Sequence, residues 1–239
     1  MKLPFHSSAA LLCGMLALSG CNSQDQEQAA QAPAASAQND DAARKLDTYR
    51  QLIRIHNDEM TVTMGHDILD RYPDSAAAKE VQQTLPDIEK RWKEESEKRR
   101  LDALWLYQVS PMQGGTQSTA TLYSSQPSGN DRVRLVLRRH TDWGQNVFLY
   151  GGGHGFVCRG NCTLHATFDG KEHGIKAFAP STGEPALMIR DDDDFIARMK
   201  KAKKITMDVT LVDGEKKETL VYEVGGFDPA KWKALPKKK

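Results

Sequence analysis

At Leu104 the spacing of apolar residues changes, and no other feature limits the possible folds as strongly. Before it, Leu46, Tyr49, Ile53, Met60 and Met64, with His56 among them, step by three or four residues, the period of one helical face. After it, short runs alternate apolar and polar residues, with turn-forming Gly, Pro, Asn or Asp between them. Helices first and strands afterwards predict an α+β chain: an N-terminal helical hairpin, then a compact antiparallel β domain.

The hairpin is expected over residues 41–104. Ile68, Leu69 and Tyr72 continue the first stripe after a weak point at Thr61–Gly65. Pro73 stops that helix, and Asp74 or Ser75 can cap the next. Val81, Leu85, Ile88 and Trp92 form the second stripe, with Pro86 expected to kink or restart it. The segment Ile68–Ser75, followed by Ala78, resembles the turn of tetratricopeptide-type repeats. A solenoid needs about three such units, and one is present. Residues 89–100 interleave acids with bases, which reads as a solvated helix face rather than a nucleic-acid stripe.

The β domain is expected over 105–230, as a sandwich or partly open barrel with one short helix. Candidate strands are 105–109, 119–124, 132–139, 146–150, 155–158, 162–168, 174–178, 187–189, 205–211 and 219–224. On the third, Val133, Leu135 and Leu137 point one way and Arg132, Arg134 and Arg138 the other. Asp191–Asp194 open the short helix, where four acids suit the helix dipole better than a calcium loop.

The N-terminus is an address. Lys2 precedes an apolar run from Ala9 to Leu18 that is too short to be a permanent span. It ends in Leu18-Ser19-Gly20-Cys21, which resembles the lipobox of bacterial lipoproteins. That resemblance implies cleavage after residue 20 and lipidation of the Cys21 thiol, with a further acyl chain on its freed amine. Several chains on one residue anchor stably where one binds marginally. In that family Asp after the Cys favours retention at the inner membrane; here Asn22 follows, which implies the outer membrane. Residues 21–40 are then the lipidated Cys and a tether expected to be flexible, because no large apolar residue is present to order it. Residues 231–239 read as a basic tail. The whole resembles Gram-negative envelope lipoproteins, periplasm-facing on this reading.

With Cys13 lost and Cys21 lipidated, Cys158 and Cys162 remain in an oxidising compartment. The three-residue loop between them predicts a hairpin with a disulfide across it. The alternatives are a zinc site with His154 and His165, at an unusual ligand spacing, or a redox-active pair.

The formal charge is +1 overall, but 12 basic residues meet 16 acidic ones in 22–100, and 20 meet 16 in 101–239. Near-neutrality argues against a nucleic-acid binder, while the β domain's excess of base suits an anionic partner. Arg138, Arg139 and His140, with Trp143, form the candidate ligand surface, bases beside an aromatic residue. Gly151–Gly155 lacks the Lys and helix of a phosphate loop. No G-x-S-x-G, H-E-x-x-H or free cysteine nucleophile is visible, and no metal or cofactor is expected. The reading is a non-enzymatic binding or adaptor module, anchored in the outer membrane, that meets an envelope protein, peptidoglycan or another glycan. One alternative is an immunity or inhibitor lipoprotein against a periplasmic toxin or hydrolase. Another is an envelope enzyme whose site is assembled by folding, from residues such as His154, Asp142 or Glu184.

Overall fold

The computed structural model describes residues 23–236 apart from Gly152 and Arg159, and side chains from residue 36 on. The segments expected to be a signal peptide and a lipobox, and Lys237–Lys239, lie outside the described residues. The chain is an α+β protein of two compact units that divide at Glu89 and Lys90.

The first unit holds α1 (Ser23–Arg54), α2 (Asp58–Arg71) and the start of α3 (Ala76–Ala103). Two expectations are corrected here. The first is the tether, since α1 already begins at Ser23. The Ala, Gln and Glu of this stretch are strong helix formers, so a segment without apolar side chains still winds into helix. The second is the hairpin, whose first helix is in fact two. His56 adopts a left-handed φ of 54°, and the Asn57 side chain accepts the Met60 N–H, capping a new helix. The predicted stripe therefore breaks: Leu46, Tyr49 and Ile68 are buried, whereas Met60 is exposed. Gly65 marks close packing, because a Cβ there would meet Leu85 at 2.8 Å and Tyr49 at 3.2 Å. Ser75 supplies the α3 cap through the Ala78 N–H, at 3.1 Å. Val81, Leu85 and Ile88 are buried, each contributing roughly 1.5–3 kcal/mol. α3 runs through Pro86 as one element.

The second unit is one antiparallel sheet of nine strands: β1 (Trp105–Met112), β2 (Gly115–Tyr123), β3 (Arg134–His140), β4 (Gly144–Tyr150), β5 (Asn161–Phe168), β6 (Lys171–Phe178), β7 (Ala186–Ile189), β8 (Lys204–Thr210) and β9 (Lys217–Glu223). Their order is β1-β2-β3-β4-β7-β6-β5-β8-β9, so the sheet has two edges and is not closed. Val221 of β9 nevertheless exchanges backbone hydrogen bonds with Ser125 and Gln126, just beyond β2, at 2.8 and 3.0 Å. One face carries the core, including Leu135, Leu137, Val147, Leu149, Ile205 and Met207, and α4 (Asp192–Met199) adds Phe195, Ile196 and Met199.

Three finer expectations change. Residues 155–158 are not a strand: Phe156 makes a single bridge to Leu211. Cys158 thus sits in a loop and bonds to Cys162 on β5, with no hairpin between them. The basic tail is also part of the fold where it is described. Trp232 is buried, packs edge-on against Phe227, and donates its indole N–H to the Ser118 carbonyl at 3.1 Å. An indole carries enough apolar area to draw the lysine-rich segment beside it onto the core. Finally, the four acids do not cap α4 with a side-chain hydrogen bond. Asp192 accepts the Val147 N–H at 3.2 Å and Asp193 accepts from Gln145 at 2.8 Å, tying α4 to β4.

Candidate functional site

β3 is paired on both sides, and the register sorts its neighbours into rows. Successive side chains point to opposite faces. Leu135 and Leu137 enter the core, so Arg134, Val136, Arg138 and His140 share the outer face. Tyr123, Arg134 and Tyr150 form one row across β2, β3 and β4. The next row is Leu106, Thr121, Val136, Phe148 and Met188. The third is Gln108, Thr119, Arg138 and Asn146. A mostly apolar row thus lies between two rows that each hold an arginine.

Guanidinium groups lie over the rings. Arg134 is 4.7 Å from the Tyr150 centroid and 5.9 Å from Tyr123. Arg132 is 4.8 Å from Tyr123. Arg138 is 5.1 Å from Trp143 and 5.0 Å from Phe148. Such contacts are worth about 0.5–1 kcal/mol each at exposed sites. Neither Arg132, Arg134 nor Arg138 pairs with a carboxylate among the described residues: Arg132 donates to the Gly129 carbonyl and Arg138 to the Asn146 side chain. Burial pushes the Arg138 guanidinium below its ordinary pKa, opposed by the charge of Glu184. Its Nε is buried with no hydrogen-bond partner. The five neighbouring strands β1, β2, β3, β4 and β7 contain no Asp, Glu or Lys at all.

The structure divides the four residues read as one ligand surface. Arg138 and Trp143 stay together on the outer face. Arg139 does not: its guanidinium lies 3.6 Å from the Trp232 ring centroid and donates to the Trp232 carbonyl at 2.8 Å. Strand alternation places it opposite Arg138, and burial lowers its pKa as well. His140 is buried and internally satisfied. Its Nε2 is 2.9 Å from the Met112 carbonyl, and its Nδ1 accepts the backbone N–H groups of Asp142 and Trp143. Those partners assign the Nε2–H tautomer. The ring stacks on Trp143 at 3.8 Å, so His140 is the strut that holds the exposed indole. A Cβ at Gly115 would come within 2.7 Å of that imidazole, which explains glycine there.

Tyr123, Arg132, Arg134, Phe148 and Tyr150 also belong to the face, beyond the four residues expected from the sequence. Their signal in the sequence is the polar side of the third strand. The partners come from other strands through register, which no local pattern encodes.

The remaining candidates stand apart from this face. Cys158 and Cys162 form a disulfide with Cα atoms 5.6 Å apart. His154 pairs with Asp213, and His165 with Asp208 at 3.0 Å, so neither histidine joins the cysteines in a zinc site. The Asp213 carboxylate raises the His154 pKa, and His154 holds that of Asp213 down. The pair is exposed and joins His154 of the Gly151–Gly155 loop to Asp213 in the turn between β8 and β9. The Asp142 N–H serves His140, and Glu184 accepts the Thr182 hydroxyl. Among the described residues no three metal-ligating side chains cluster, and no helix is long and apolar enough to cross a membrane.

No protein-family model and no curated protein matches the chain. Among solved structures, invasion associated protein B from Bartonella henselae is similar at 15% identity, over 53% of this chain and 87% of that one. The TM-score is 0.36, a likeness that carries no argument about fold or function.

Proposed function

We propose that this chain is an outer-membrane lipoprotein, anchored through Cys21 and facing the periplasm, that acts as a non-enzymatic binding module of the cell envelope. The observation that carries the binding role is the outer face of β2, β3 and β4. Two arginines without carboxylate partners flank an apolar row there, held by stacking on Tyr150, Phe148 and Trp143. Guanidinium groups set in place this way offer charge and planar hydrogen-bond donors with little entropy left to lose on binding. Support for the anchor comes from Leu18-Ser19-Gly20-Cys21 and from Asn22 after it.

Metabolic labelling with a palmitate analogue and membrane fractionation test the anchor. The wild type is expected to take label and to sediment with the outer membrane. Cys21→Ala is expected to lose both properties. Labelled protein in inner-membrane fractions would overturn the sorting, and unlabelled wild type would overturn the anchor. The binding role is tested by photo-crosslinking in intact cells from positions spread over the described surface. A chain that gives no adduct from any position does not serve as a binding module.

A further inference from the structure

Resting on the reading as a binding module, we infer that its ligand is a protein with an acidic surface, docked on the outer face of β1, β2, β3, β4 and β7. Four observations on this half of the sheet lead there.

The first is composition. The five strands are contiguous in the sheet and contain no Asp, Glu or Lys, yet carry Arg134 and Arg138 outward with Tyr123, Phe148, Tyr150 and Met188. Ordinary solvent-facing strands hold lysine and acids. Their depletion together with Arg, aromatic and Met enrichment marks the centre of protein interfaces. The other half of the same sheet follows the ordinary pattern, with Lys171, Glu172, Lys204, Asp208, Glu218 and Glu223.

The second is the apolar row. Leu106 is 62% exposed and stands opposite Thr121, and the half-buried Phe148 and Met188 continue the line beyond the buried Val136. An aliphatic and aromatic strip gains from burial against another apolar surface.

The third decides between a protein and a glycan. A sugar platform offers open ring faces. Here Arg134 lies over Tyr123 and Tyr150, Arg138 lies over Trp143 and Phe148, and His140 stacks on Trp143. The rings orient the guanidinium groups, whose planar donors suit carboxylates.

The fourth is unmet demand. Neither Arg134 nor Arg138 pairs with a carboxylate among the described residues, and an acidic partner surface would supply one to each. Arg134 and Arg138 stand four residues apart on β3, roughly 13 Å, so one partner surface reaches both with separate acids. The five strands span roughly 20 Å by 20 Å, enough for the centre of an interface of standard size.

The test is site-specific photo-crosslinking of the full-length protein in the cells that make it. A benzophenone amino acid is placed at Gln108 or Thr119 on the face, and at Thr163 on the outer side of β5 as the comparison. The expected result is a discrete, protease-sensitive adduct from Gln108 and Thr119, at least tenfold stronger than from Thr163, whose crosslinked peptide is rich in Asp and Glu. Arg134→Glu with Arg138→Glu is expected to lower the yield at least tenfold. Leu106→Glu changes an exposed residue, so it reports on docking rather than folding, and is expected to lower the yield at least fivefold. Protease-resistant adducts that yield to glycan hydrolysis would overturn the protein partner. So would an acid-poor crosslinked peptide, or adduct yields unmoved by both variants. Adducts from Thr163 but not from the face would overturn this docking surface and leave the binding module standing. No adduct from any position would overturn both.

Discussion

The acidic run at the start of α4 allows a quantitative test of how that helix is held. Burial, opposed by the hydrogen bond from the Val147 N–H and reinforced by Asp193 and Asp191, pushes the Asp192 carboxyl up to about 6 from 3.8. The folded protein therefore holds this proton more tightly than the unfolded chain does. Below the unfolded value both states are protonated and the group costs nothing. As pH rises from about 4 to about 6 the unfolded chain ionises first, and stability falls. The shift from 3.8 to about 6 corresponds to a ceiling of about 3 kcal/mol. Asp192 is half-buried, and solvent screening reduces this to roughly 1–2 kcal/mol. Asp192→Asn keeps an oxygen for the Val147 N–H, removes the charge, and gives up about 0.3–1 kcal/mol of helix-dipole attraction. The variant is expected to be more stable than wild type by about 1 kcal/mol at pH 7.5, with most of the gain gone at pH 4. Urea unfolding followed by tryptophan fluorescence at both pH values measures this. A variant equal to or weaker than wild type at pH 7.5, or a gain of the same size at pH 4, would refute the burial argument.

Trp232→Ala removes a buried indole, its N–H bond to Ser118 and the platform for Arg139, and is expected to cost about 3–5 kcal/mol in urea unfolding; a disposable tail would cost nothing. His140→Ala leaves the Met112 carbonyl and the Asp142 and Trp143 N–H groups without their partner. An expected loss of about 2–3 kcal/mol, with altered Trp143 fluorescence, distinguishes a strut from a surface base. The Cys158–Cys162 bond closes a very short loop, so the double Ser variant is expected to lose only about 2 kcal/mol. A loss above 4 kcal/mol in the same assay would mean that the bond also holds β5 in place.

Much of the architecture is local and could be read in advance. The change of period at Leu104 separates helix from strand because side chains repeat about every 3.6 residues on a helix and every two on a strand. The same rule set Leu135 and Leu137 against Arg134 and Arg138 on β3, as the core confirms. It also implied that Arg138 and Arg139 face opposite ways, although their adjacency in the chain suggested a shared surface. The break at His56 has no local signature, because a left-handed residue followed by an Asn cap interrupts a stripe without Gly or Pro to announce it. Charge alone made Lys231 and Lys233 look like solvent, whereas burying the Trp232 ring between them outweighs the cost of ordering the segment.

The sequence by itself determined that helix gives way to strand at Leu104 and which side of β3 is apolar, since these follow from contacts a few positions apart. Only the tertiary structure decided that β7 pairs with β4, that Tyr123 and Tyr150 flank Arg134, and that His140 stacks on Trp143. Strand order and register join residues tens of positions apart, and they are set by how the whole apolar face is buried at once rather than by any short segment.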